Sequence, residues 1–153
     1  MRRLIVVFVS VFVLATSFSS LAATGRVLKV LPHFLDLKGR HSLSPSLFDR
    51  DAYQAKLRQN PDQCSALRFD ILWRARSAKN PKLKLRAELR GTAQGQLPRE
   101  TTLEGEVEPR NSSKWSALKL ESQAYKDFGE VTAWRVTLWD GEQLVGEQKS
   151  FLW

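Results

Sequence analysis

The chain has 153 residues, of which 42% are hydrophobic, with one cysteine, two histidines and a formal net charge of +8. A single cysteine excludes an internal disulfide framework, so stability must come from packing. Beyond residue 23 no apolar run approaches the roughly 20 residues that a membrane-spanning helix needs, which excludes insertion through a second hydrophobic segment.

The first 23 residues read as a secretory signal peptide rather than as part of a fold. Met1-Arg2-Arg3 is a short positive stretch, and Leu4 to Leu14 is apolar apart from Ser10. Ser20 and Ala22 place small residues where signal peptidase requires them for a cut after Ala22; a cut after Ala23 is the alternative. No cysteine stands at the cut to carry a lipid. The expected localisation is therefore exported, either periplasmic or secreted, with residues 24–153 forming a single domain. Setting Arg2 and Arg3 aside leaves 22 Lys and Arg against 16 Asp and Glu, a net +6. The balance is uneven: Arg26 to Arg99 carries a net +10 and Glu100 to Trp153 a net −4.

Seven strand-like segments and one helical segment follow. The first strand spans Arg26 to Lys38, with Pro32 marking a break or an edge position. The helix spans Pro45 to Gln59, capped by Ser44, with Phe48, Ala52 and Ala55 as its inward stripe and Asn60-Pro61 as its stop. The second strand, Leu67 to Arg76, alternates apolar odd positions with mostly charged even ones. Cys64 precedes it as a structural thiol. After the Asn80-Pro81 turn, the third strand runs Lys82 to Arg90 and the fourth Arg99 to Glu108. A loop centred on Gly95 sets Lys82 opposite Glu108, Lys84 opposite Glu106, Arg86 opposite Glu104 and Arg90 opposite Glu100, four opposite-charge pairs at one register. The fifth strand is Lys114 to Glu121 and the sixth Glu130 to Trp139, with Trp134, Val136 and Leu138 on one face. Asp140-Gly141 turns the chain into the seventh, Leu144 to Leu152.

The expected fold is all-β, a seven-stranded antiparallel β-sandwich with one short α-helix inserted between the first and second strands. On its strand count, the inward Trp73 of the second strand, the hairpin of the third and fourth strands and the final Asp140-Gly141 hairpin, it resembles immunoglobulin-like and fibronectin type III-like domains. The helix and the lack of a disulfide depart from that pattern. The resemblance implies a scaffold that commonly binds proteins or carbohydrates, and fold alone does not carry function.

No catalytic, cofactor or metal site is expected. His33 and His41, with Asp36, Asp49 and Asp51, lack metal-ligand spacing, and no Gly-x-Ser-x-Gly elbow or phosphate loop occurs. Glu100, Glu104, Glu106 and Glu108 are explained by pairing with the third strand rather than by acid/base work. The candidate contact residues are Arg68, Arg74, Arg76 and Lys79, read as lacking acidic partners, with Trp139 as a second, aromatic candidate. They describe a non-enzymatic exported interaction module whose partner is another envelope or extracellular protein or an anionic polymer, nucleic acid being the least fitting for an exported chain. The alternative is a structural or assembly protein that pairs through an exposed edge strand. Intact-mass measurement of the protein recovered from the exported fraction is expected to give a chain starting at Ala23 or Thr24; a chain retaining Met1 to Ala22 would refute cleavage.

Overall fold

Alternation commits every second residue of a strand to one side of its sheet, and the architecture follows from where those sides meet. The structure, a computed structural model, describes residues 24–76, 80–93 and 97–153, and of Ser122 the backbone alone. Residues 1–23, where a signal peptide is expected, lie outside the described residues. The strands are β1 (Thr24–Asp36), β2 (Cys64–Arg76), β3 (Leu83–Thr92), β4 (Pro98–Val107), β5 (Lys114–Glu121), β6 (Glu130–Asp140) and β7 (Gln143–Lys149). Helix α1 (Leu47–Gln59) and a 3-10 turn (Pro61–Gln63) join β1 to β2, and helix α2 (Ser122–Phe128) joins β5 to β6. One sheet orders its strands β1-β2-β5 and the other β4-β3-β6-β7, with every pairing antiparallel. The expected all-β class, seven antiparallel strands in two sheets with a short helix after the first, is what the chain adopts.

Both sheets feed one apolar cluster. Leu67, Phe69, Ile71, Trp73 and Ala75 of β2 and Leu118 and Leu120 of β5 meet Leu83, Leu85, Ala87 and Leu89 of β3 and Val136 and Leu138 of β6. Trp73 is fully buried, and its indole N–H donates to Ser116 Oγ at 2.9 Å, which removes the penalty of an unpaired buried donor.

The charge-derived register of β3 against β4 holds: Lys84 faces Glu106, Arg86 faces Glu104 and Arg90 faces Glu100. The fourth expected pair does not form, because the ladder ends at Leu83 and Val107 and Lys82 reaches diagonally to Glu106 instead of facing Glu108. Long side chains at a strand end are free to choose the nearer diagonal partner.

Helix α1 differs from expectation at both its start and its face. Ser46, not Ser44, is the N-cap and accepts the Asp49 N–H; Ser44 Oγ donates to the Asp49 carboxylate at 2.8 Å instead. Phe48, Ala52 and Ala55 face solvent, Phe48 at 80% exposure, while Tyr53 and Gln54 are half-buried and Leu57 is buried. Polar anchoring sets this rotation. Gln54 Nε2 donates to the carbonyls of Phe34 (2.9 Å) and His41 (2.8 Å), and its Oε1 accepts the Phe34 N–H (2.8 Å), so the side chain completes the outer edge of β1. The Tyr53 hydroxyl donates to Asp36 Oδ2 at 2.8 Å.

Asp36 is the hub of this corner. It is buried, and its carboxylate also accepts the backbone N–H groups of Lys38 and Arg40, each at 2.8 Å, and Arg40 Nε at 2.9 Å. Burial alone would raise its pKa. The Arg40 N–H, the Tyr53 hydroxyl, the Arg40 guanidinium and the Lys38 N–H outweigh burial and bring it from the ordinary 3.8 to about 2.

Three further differences come from the second half of the chain. Helix α2 was not expected; at seven residues it is too short to show a period, although Tyr125 and Phe128 turn inward together and Gly129 follows at φ 82°. The last hairpin closes through Gly141-Glu142, one residue later than expected, since Asp140 pairs with Gln143. Strand β7 ends at Lys149, because Ser150 keeps only half of the next rung: its N–H donates to the Trp134 carbonyl at 2.9 Å, but its Oγ accepts the Trp134 N–H at 3.0 Å.

Because the Asp36 carboxyl titrates lower in the folded chain than in the unfolded one, its stabilising contribution is present above about pH 4 and fades as the pH falls toward 2. Asp36→Asn is expected to lower stability at pH 7 by roughly 1–3 kcal/mol in urea unfolding, and to remove the part of the acid-induced loss that falls in that window.

Candidate functional site

Since Leu67, Phe69, Ile71, Trp73 and Ala75 face the core, the even positions of β2 form the middle row of an outer face. Arg68, Asp70, Leu72, Arg74 and Arg76 therefore share one surface. Cross-strand pairing adds Lys119, Ala117 and Trp115 from β5, facing Arg68, Asp70 and Leu72. From β1 it adds His33, Leu31, Lys29, Arg26 and Thr24, facing Arg68, Asp70, Leu72, Arg74 and Arg76. A bulge between Val27 and Lys29 shifts the alternation of β1, which is why Arg26 and Lys29 both reach this face despite their opposite parity.

At one end of the face, Arg26 stands directly opposite Arg74, with Arg76 in the next outward position. The three line a shallow hollow of about 240 Å³ with Thr24 and Gly25. Like charges directly opposite each other disfavour the pairing, and among the described residues no carboxylate lies within ion-pair distance of any of the three. Of the residues singled out in the sequence, Arg74 and Arg76 thus come together, joined by Arg26.

Arg68 behaves differently, correcting the expectation that it lacks an acidic partner. Its Nη2 donates to Asp70 Oδ2 at 2.8 Å and Nε does so at 3.2 Å. Asp70 lies two residues along the same strand and on the same face, a neighbour missed when partners were sought only across the ladder. The same Asp70 oxygen lies 2.9 Å from His33 Nδ1. Burial pushes the Asp70 carboxyl up, but the His33 hydrogen bond and the Arg68 guanidinium together hold it below its ordinary value. Arg68 Nη2 also lies 3.3 Å from His41 Nδ1, and the two imidazole rings are 5.0 Å apart. Burial, then Arg68, then His33 and Arg50, lower the His41 pKa; because a guanidinium has only donors, Nδ1 is the acceptor in its contact with Arg68. This quartet ties the loop before α1 to the sheet. Among the described residues no Ser, Thr or Cys side chain is hydrogen-bonded to either imidazole. Nor do any three His, Cys, Asp or Glu side chains gather there as metal ligands.

Lys79 falls outside the described residues. Trp139 lies on the outer face of the other sheet, facing Lys84 of β3 and Leu144 of β7. It does not share a patch with the arginines. Its Nε1 donates to Thr137 Oγ1 at 2.9 Å, and the Arg86 guanidinium lies over its ring at 5.8 Å. That sheet neutralises its own charge: Arg86 pairs with Glu104 at 2.7 Å, Arg90 with Glu100 at 3.0 Å, and Arg135 with Glu147 at 3.1 Å and Glu88 at 3.6 Å. Trp153 lies over Arg90 at 4.2 Å.

A larger cleft of about 540 Å³ opens at the end of the sandwich near α2, lined by Phe34, Leu67, Tyr125 and Val131 with Arg58, Lys126, Asp62 and Glu130. Its charges are of both signs and balance, so its size does not mark it as a charge-selective site. The arginine hollow is smaller but electrostatically one-sided, and it is the feature with a clear chemical preference.

No protein-family model matches this sequence, and no curated protein matches it. A crystal structure of a protein from Akkermansia muciniphila superposes with a TM-score of 0.53 at 10% identity, over 84% of this chain and 71% of that one. At that identity the likeness concerns the β-rich fold alone. Among the described residues no helix is long and apolar enough to cross a membrane.

The facing arginines generate a stability prediction. Arg74→Thr is expected to raise unfolding stability by roughly 0.2–1 kcal/mol at low ionic strength, with the gain shrinking at about 1 M salt as screening shortens the repulsion. Urea titrations at the two salt concentrations measure it.

Proposed function

We propose that this chain is an exported, non-enzymatic binding module with an immunoglobulin-like or fibronectin type III-like sandwich, which recognises an anionic partner through Arg26, Arg74 and Arg76. The observation that carries this reading is the direct opposition of Arg26 and Arg74 without a carboxylate in reach among the described residues. The ion pairs on the other sheet indicate that this chain readily places acids beside its bases, so three arginines clustered without one are set apart. A partner bringing clustered carboxylate, sulfate or phosphate groups would relieve the repulsion and accept bidentate guanidinium hydrogen bonds. Export is supported by the Met1-Arg2-Arg3 start, the apolar Leu4 to Leu14 run and the Ser20 and Ala22 cleavage spacing. The immunoglobulin-like reading is supported by the strand orders β1-β2-β5 and β4-β3-β6-β7.

A crosslinking pull-down from the native cell envelope tests the proposal, with the mature chain as bait beside an Arg26/Arg74/Arg76→Ser triple variant and an Arg68→Gln variant. The natural chain and Arg68→Gln are expected to capture the same partner at low salt, and the triple variant to lose it. The salt dependence of the affinity, plotted logarithmically, is expected to flatten by about 2–3 in slope for the triple variant. Capture that persists in the triple variant and in high salt would sink the electrostatic reading.

A further inference from the structure

Resting on that reading, we infer that the anionic partner is an acidic polysaccharide, bearing uronate or sulfate groups, that lies across the outer face of the β1-β2-β5 sheet with a sugar ring on Trp115. Three observations lead there. First, the contact surface is a sheet face rather than an edge. The backbone groups of β2 are spent in ladders on both sides, so recognition there is made by side chains. An acidic peptide adding itself as a strand would need an unpaired edge instead.

Second, the row beside the arginines is apolar and aromatic. Trp115 faces Leu72, which faces Lys29, in the row adjoining Arg26 and Arg74. Successive rows on one face are about 6.7 Å apart and neighbouring strands about 4.8 Å apart. A ring seated on Trp115 and a charged substituent of the same or the next unit thus reach the indole and a guanidinium together.

Third, Trp115 is the tryptophan left open for such a contact. It is 48% exposed, whereas Trp73 is buried in the core, Trp134 packs against that core, and Trp139 and Trp153 already carry arginines on their rings. Among the described residues, the Trp115 indole N–H donates to no protein acceptor and no cation lies over its ring. An exposed indole offers a flat apolar face for sugar C–H groups and one donor for a hydroxyl. Flanking cations supply the remaining selectivity: Lys29 in the same row and the three arginines beyond it. The open ring beside the guanidinium groups matches a chain of charged sugars, each unit of which brings a C–H face and an anion together.

Isothermal titration of the mature chain at low salt tests the inference with polygalacturonate, heparin, poly-L-glutamate and neutral dextran. Polygalacturonate or heparin is expected to bind at least about tenfold more tightly than poly-L-glutamate, with dextran undetected; the preferred one of the two distinguishes uronate from sulfate. Trp115→Ala is expected to weaken the glycan about tenfold and leave poly-L-glutamate unchanged, while Trp115→Phe retains most of the affinity and so separates loss of the ring from misfolding. Equal binding of poly-L-glutamate, with no effect of Trp115→Ala, would overturn the glycan inference and leave the anion-binding reading standing. Unchanged glycan binding by the Arg26/Arg74/Arg76→Ser variant, or no polyanion binding at all, would overturn both.

Discussion

The pleat of β2 is the constraint on which the rest depends. Phe69, Ile71 and Trp73 have to face the opposing sheet to build the core, and Trp73 is held there by its hydrogen bond to Ser116. Once they do, Arg68, Asp70, Leu72, Arg74 and Arg76 have no freedom about which surface they occupy. Core packing thus determines the membership of the outer face, and the facing strands β1 and β5 only add to it. A shift of one residue in β2 would bury three arginines, an outcome so costly that the register is secured.

The two outer faces treat charge in opposite ways. On the four-stranded sheet, ion pairs link β4 to β3, β3 to β6 and β6 to β7, with Trp139 and Trp153 laid against its arginines. Exposed pairs of this kind contribute little each to stability, but each sets a carboxylate against a base. The three-stranded sheet divides into two regions. Near α1, Asp70 gathers Arg68 and His33 into a closed cluster; near the start of β1, Arg26, Arg74 and Arg76 have no carboxylate within ion-pair distance among the described residues. Three of the basic residues behind the net positive charge of residues 26 to 99 thus gather at one corner.

Much of this was legible in the sequence, and the remainder has definite causes. The class, the helix insertion and the bounds of β5 followed from alternation and turn residues. The β3–β4 register followed from charge alone, because Lys84, Arg86 and Arg90 had three glutamates at matching intervals. The rotation of α1 was not legible: its apolar stripe is weak, and what orients it is Gln54 and Tyr53 finding polar partners on β1, which no periodicity records. Arg26 was not placed on the outer face because the bulge at Leu28 breaks the parity of β1. Arg74 and Arg76 were placed there because β2 has no such break. Arg68 was misjudged for the opposite reason, since its partner Asp70 sits two places along the same strand.

The seat of Gln54 on Phe34 has a consequence for how the protein behaves in a crowded compartment. An outermost strand ordinarily offers its spare N–H and C=O groups to any extended chain that drifts past, and so seeds the stacking of one copy on another. Here the side-chain amide mimics that incoming strand and occupies both groups of Phe34 at once. Helix α1 thereby shields the flank of β1 at Phe34, and a chain lacking this amide would leave that stretch of the margin adhesive.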